Sequence, residues 1–214
     1  MSSELDHCWD TLGVAFRYLG WVFHENPENG PIAGDMLRDA VEGWRLDNRN
    51  EHTRLGLALL RDCLKVWDPD TPDLLMADFN RLFVGPGPLL VPPWESVHRG
   101  AGRFLFDHYT LAVRQFYARF KLEIPSRGRE PEDHLGFEFM FMAHLCDLGL
   151  EASRSEDLEG STTLLAAQRE FLASHLATWV PGCLELIQQH SRTLYYRGLA
   201  HLAQGCLDQA VDSF

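Results

Sequence analysis

The sequence predicts an all-α fold, a compact single-domain bundle of about eight to nine helices spanning residues 1–214. Three observations carry this. Apolar residues recur at steps of three and four along most of the chain. No window shows sustained period-two alternation with β-branched enrichment. Proline, glycine and capping residues interrupt the pattern at helix-length intervals.

Taken in order, Leu5, Trp9, Leu12, Phe16, Leu19 and Phe23 form one stripe along a helix over about 4–25. Asn26-Pro27 ends it, because the residue before a proline avoids the helical region. A second helix is expected over about 32–44, burying Ile32, Met36, Ala40, Val41 and Trp44. A third, over about 52–67, shows Leu55, Leu59, Cys63 and Val66. Thr71-Pro72-Asp73 is a helix start with cap, first-turn proline and acid in their favoured places. Leu75, Phe79, Leu82 and Phe83 line its face until Gly85-Pro86. The stretch from Gly85 to Pro93 holds four prolines and two glycines and reads as a stiff loop.

A helix over about 101–120 follows, with Leu105, Ala112, Val113, Phe116 and Phe120, then a loop at Ile124 to Gly128. A long helix opens at Glu130-Pro131 and runs to about Gly149, burying Leu135, Phe139, Met142, Leu145 and Leu148. Residues 151–160 read as an acidic exposed link. Ser161 caps a helix carrying Leu164, Gln168, Phe171, His175 and Trp179. Pro181 starts a short helix, and Ser191 caps the last, with Leu194, Tyr195, Leu199, Leu202 and Cys206.

The net charge of −12 argues against duplex nucleic acid or an anionic membrane as partner, and leaves basic peptides open. The first residues, Met1 to Asp6, lack the pattern of a secretory signal, and no charge-free run is long enough to span a bilayer. Five cysteines without a C-x-x-C pair fit reduced, buried thiols. A cytoplasmic protein is expected. Phosphate-binding glycine loops, the hydrolase nucleophile elbow and the H-E-x-x-H zinc motif are all missing.

Two segments stand out. In the first, Phe79 to Phe83 run into the proline loop, which ends at Trp94. Phe79, Leu82 and Phe83 fit two readings: plain core, or a hydrophobic shelf with a rigid wall that accepts an apolar peptide face. In the second, Glu130, Pro131, Glu132, Asp133 and His134 open a helix. That is a good cap, and it also places carboxylates and a titratable imidazole where a basic peptide meets them. An alternative built on the same residues is a metal-dependent hydrolase using Asp133, His134 and Glu138. Metal analysis of the purified protein discriminates between the two.

Leu82-Phe83-Val84-Gly85-Pro86, then Pro92-Pro93-Trp94-Glu95-Ser96-Val97, then Glu130-Pro131-Glu132-Asp133-His134, occur in that order. Phe171, His175-Leu176, Trp179-Val180-Pro181, Tyr195-Tyr196 and Leu199-Ala200 follow. Over about residues 75–205 the chain resembles the TorD/DmsD family of redox-enzyme maturation chaperones. The resemblance implies an all-α fold, no catalytic residues and no cofactor. It implies binding of the twin-arginine leader and apo form of a molybdopterin oxidoreductase catalytic subunit, of the dimethyl sulfoxide or trimethylamine N-oxide reductase type. Tat translocase components are further implied partners, and the protein is a monomer or a domain-swapped dimer. Carried over by motif, the peptide-binding positions are Phe79, Leu82, Phe83, Pro93, Trp94, Pro131, Asp133 and His134. Phe79, His98 and Gly87 depart from residues that relatives carry there. Trp94→Ala and Asp133→Ala are expected to fold normally and to lose leader affinity. Guanine-nucleotide binding, proposed for relatives, finds no phosphate cradle in this sequence.

Overall fold

The computed structural model describes residues 2–27, 34–101, 105–122 and 130–214. These residues form ten α-helices and no strand, nine helices of two or more turns and one of a single turn. The helices are α1 (Ser2–His24), α2 (Gly34–Glu42), α3 (Glu51–Lys65), α4 (Thr71–Phe79), α5 (Glu95–Arg99), α6 (His108–Arg119), α7 (Leu135–Arg154), α8 (Leu158–Phe171), α9 (Ala177–His190) and α10 (Leu194–Ser213). A π-helical turn extends α4 over Asn80–Val84, and another joins α8 to α9 over Leu172–Leu176. The expected all-α bundle is the fold. None of its described helices is long and apolar enough to cross a membrane.

Two helix pairs make the frame: α1 packs on α7, and α3 on α10. Each pair crosses at facing glycines. A Cβ on Gly20 would meet the Gly136 carbonyl oxygen at 2.8 Å, and one on Gly136 would meet that of Gly20 at 2.6 Å. A Cβ on Gly56 would sit 2.8 Å from the Gly198 carbonyl oxygen. Backbones approach this closely only where no side chain intervenes. The core fills the space between the pairs. Trp9, Leu12, Phe16, Leu19 and Phe23 are buried as the first stripe requires, and so are Phe139, Met142 and Leu145 of α7. A polar tie crosses the core: Trp9 Nε1 donates to Gln168 Oε1 at 2.9 Å. All five cysteines are unpaired, four buried and Cys8 half-buried.

Several element-level expectations need correction. On α3 the buried face is Thr53, Gly56, Leu57, Leu60 and Cys63, while Leu55 and Val66 are exposed. The close crossing at Gly56 decides which side turns inward, and apolar spacing alone did not show it. On α2, Leu37 and Val41 are buried, and Met36 is exposed. α6 starts at His108, capped by Asp107 rather than near residue 101, and the single turn α5 precedes it. α7 runs on to Arg154 and Asp157 caps α8, so the acidic segment is mostly helix and Ser161 lies within it. Pro181 lies inside α9, one turn after the π-helical segment, rather than at a helix start. Thr193, not Ser191, caps α10. Ile32 and the loop at 124–128 lie outside the described residues.

Asp78 organises the far end of the bundle. Its Oδ2 accepts from Ser191 Oγ (2.9 Å), Arg192 N (2.9 Å), Thr193 N (2.9 Å) and Thr193 Oγ1 (2.8 Å), and its Oδ1 accepts from Arg81 Nη2 (2.9 Å). It is buried, and it ties α4 to the turn between α9 and α10.

Candidate peptide-binding site

The proline loop and the start of α7 meet as two short extended segments. Pro92-Pro93 stiffens the approach, and Trp94 and His134 both adopt extended backbone (φ −123°, ψ 134° and φ −76°, ψ 136°). They pair antiparallel as an isolated bridge. Glu95 N–H donates to the Asp133 carbonyl at 3.0 Å, and Leu135 N–H donates to the Pro93 carbonyl at 2.8 Å. The Asp133 side chain completes the latch. Its Oδ2 accepts from Ser96 N–H at 2.7 Å and its Oδ1 from Thr110 Oγ1 at 2.7 Å. Ser96 lies in the first turn of α5, so Asp133 caps α5 from another part of the chain and holds α6 through Thr110.

Behind the latch sits a buried polar layer. Glu95 accepts from Arg99 Nη1, and its Oε2 is 2.7 Å from His175 Nδ1. Arg99 also donates to the Ser174 carbonyl at 2.7 Å and lies over the Tyr109 ring. Glu138 Oε2 accepts from Trp179 Nε1 at 3.1 Å, while its buried Oε1 has no partner among the described residues. Burial, with the nearby Glu95 and Asp133 carboxylates, pushes the Glu138 carboxyl well above the usual range. Glu138 therefore holds its proton to higher pH than in the unfolded chain, where it ionises near 4.3. The native state keeps a proton that the unfolded state releases, so stability falls as pH rises from about 4.5 toward the folded value. Glu138→Gln mimics the protonated acid. Its urea midpoint is expected to gain on that of the parent between pH 5 and pH 8; parallel pH slopes for the two proteins would contradict this.

The outward face of the latch is aromatic and acidic. Trp94 is half-buried, and its Nε1 donates to Glu130 Oε1 at 2.7 Å. Its ring centre lies 6.0 Å from that of His134. His24, from the end of α1, lies 5.3 Å from His134 and 4.3 Å from Phe137. Burial pushes the Glu130 carboxyl upward. Burial, then the neighbouring His24, depresses His134 to about 3. His134 Nδ1 accepts from Gly136 N–H at 3.0 Å, so its proton resides on Nε2. It stays neutral at physiological pH and is not the titrating group that its place in the motif suggests.

The candidate residues separate into two groups. Phe79, Leu82 and Phe83 are core, packed against one another, Phe23 and Tyr196, and they do not form an exposed shelf. Pro93, Pro131, Asp133 and His134 come together at the latch but are buried; only Trp94 of the set is part-exposed. α7 starts at Leu135, so Pro131 precedes the helix instead of opening it. With both oxygens engaged and no exposed surface, Asp133 positions the site, and an Asp133→Ala variant is expected to be destabilised. Asp133, His134 and Glu138 do not converge on a metal: Asp133 faces Ser96 and Thr110, and Glu138 faces Trp179. No cluster of three or more metal-ligating side chains exists among the described residues. Glu130 and His24 were missed from the candidate set. Glu130 begins the E-P-x-D-H motif itself, whereas His24 comes from a remote helix and carries no local signal.

A family model described as the nitrate reductase delta subunit matches residues 47–185, a span that includes the whole latch, and the chain belongs to this family, the TorD/DmsD chaperones. The members are chaperones rather than enzymes. Among relatives, a Tat proofreading chaperone DmsD from Salmonella typhi is 29% identical over 204 residues, covering 94% of this chain and 89% of its own. A probable Tat proofreading chaperone DmsD from Haemophilus influenzae is 30% identical over 203 residues, covering 92% and 89%. A chaperone protein TorD from Vibrio cholerae is 29% identical over 144 residues, 64% of each chain.

Proposed function

We propose that this chaperone binds the twin-arginine signal peptide of a molybdopterin oxidoreductase of the dimethyl sulfoxide or trimethylamine N-oxide reductase type. It holds the apo catalytic subunit on the cytoplasmic side while the subunit folds and receives its cofactor, and so defers export. The observation that carries this reading is the Trp94–Glu130 pair on the outer face of a rigid latch. The second carboxylate oxygen of Glu130 accepts no hydrogen bond among the described residues. The names of the Tat proofreading relatives support the same reading.

A twin-arginine leader has a basic stretch followed by a moderately apolar one. The Trp94 ring takes an apolar side chain, and the second Glu130 oxygen takes a guanidinium. Because burial disfavours charge on Glu130, an arriving cation gains by restoring it. Aromatic burial supplies most of the affinity, and the carboxylate sets orientation.

Calorimetric titration with a synthetic leader peptide tests the reading. Trp94→Ala is expected to weaken binding at least about tenfold and Glu130→Gln by about three- to tenfold. Unchanged affinity in both variants would overturn the site.

A further inference from the structure

Away from the latch, the side of the molecule where α1 meets α2 and the C-terminal half of α7 carries a continuous trough. It begins as a groove of about 440 Å³ between α1 and α2. Val14, Tyr18 and Trp44 form its apolar wall, and Asp10 and Asp39 stand on its rim. Tyr18 and Trp44 meet edge to face with ring centres 6.2 Å apart. Val14 is 55% exposed although apolar. The indole N–H of Trp44 is buried with no acceptor among the described residues.

The groove does not end there. Asp10 also lines the next depression, with Asp147, Glu151 and Arg154. Glu151 and Ser155 in turn line a third, with Asp157 and Glu159. Six carboxylates therefore face the trough, against the cations of Arg45 and Arg154. Two of the acids already have ion-pair partners, Asp10 with Arg45 and Asp147 with Arg17, and Asp157 accepts from Gly160 N–H at 2.8 Å. Both pairs are exposed, so each is weak, and an incoming arginine exchanges with them at little cost. An anionic partner is repelled by this surface. A purely apolar one strips water from carboxylates that it cannot satisfy. The chemistry that suits both parts is a peptide with an apolar side chain near arginines.

We propose that this trough is a second docking surface for the leader peptide. An apolar leader side chain enters between Val14 and Trp44, and arginines lie over Asp147 and Glu151. The inference rests on the leader-binding reading above and adds a contact outside the sequence motifs of that site.

The test is calorimetric titration of the full chain with a synthetic leader peptide carrying its arginine pair, at 50 and 300 mM salt. The variants are Val14→Lys and the double Asp147→Asn/Glu151→Gln, all at exposed positions, with thermal melts confirming the fold. Each is expected to weaken binding by about fivefold or more, and the double variant to flatten the salt dependence. Full affinity in both variants, with the unaltered protein binding and Trp94→Ala impaired, overturns the trough and leaves the latch site standing. Absence of binding by the unaltered protein overturns both.

Discussion

Asp133→Ala lowers the unfolding free energy by roughly 3–5 kcal/mol, as expected when a buried charge-assisted acceptor is removed and its donors are left behind. The Ser96 amide and the Thr110 hydroxyl, each 2.7 Å from an Asp133 oxygen, lose their partner at a site shielded from solvent. For a chain of this length, that corresponds to a melting temperature about 10 °C lower. Leader binding then falls as a consequence, because the backbone pairing that presents Trp94 loosens. Asp133→Asn separates the roles. Its remaining carbonyl still accepts one of the two hydrogen bonds, so about half the loss is expected. Chemical denaturation of the two variants beside the parent checks this. Parent-like stability for Asp133→Ala, with binding abolished, would restore Asp133 as a direct contact.

Asp78→Ala is expected to cost as much, roughly 3–5 kcal/mol, by a different route. Asp78 gathers donors from Arg81, Ser191, Arg192 and Thr193, and without it the entry to α10 loses these hydrogen bonds to α4. Burial alone would raise its pKa, but hydrogen bonds from Thr193, Arg81 and Ser191 outweigh burial and hold it below the usual carboxylate range. The native state therefore binds this proton less readily than the unfolded chain does. The stability that Asp78 contributes is complete above the unfolded value of about 3.9 and is lost as pH falls through the lower folded value. Urea titrations of parent and variant at pH 7 and pH 3 should show the gap between them narrowing in acid. A gap that does not change with pH would mean that the carboxylate charge plays no part.

The amphipathic stripes of α1, α7 and α10 were legible because their apolar spacing is regular over about twenty residues. The buried face of α3 was not. Leu55 and Val66 are apolar yet face solvent, and the face that packs is chosen by Gly56, a residue invisible to hydrophobic periodicity. The site was legible as a place and misread in its parts. The motifs point to Trp94, Asp133 and His134, and the structure brings these together. Motif position could not say that Asp133 turns inward toward Ser96 and Thr110, since that depends on where α5 and α6 lie. Nor could it show Glu130 under the Trp94 indole, or His24 beside His134, because those meetings cross the fold. Phe79, Leu82 and Phe83 illustrate the general difficulty: the same three side chains serve as a docking shelf or as core, and only their neighbours decide.

The facing glycines also bear on how this sequence can change. At Gly20, Gly136 and Gly56 a methyl group on one helix collides with the backbone of the other, whereas at Gly198 it presses first on the Leu60 side chain. None of the first three tolerates an alanine while the helices stay where they are, and a second substitution across the crossing cannot compensate, since it only adds bulk. These three positions thus act as fixed points of the mutational landscape. Variation that leaves the fold intact is channelled to the loops and outer faces.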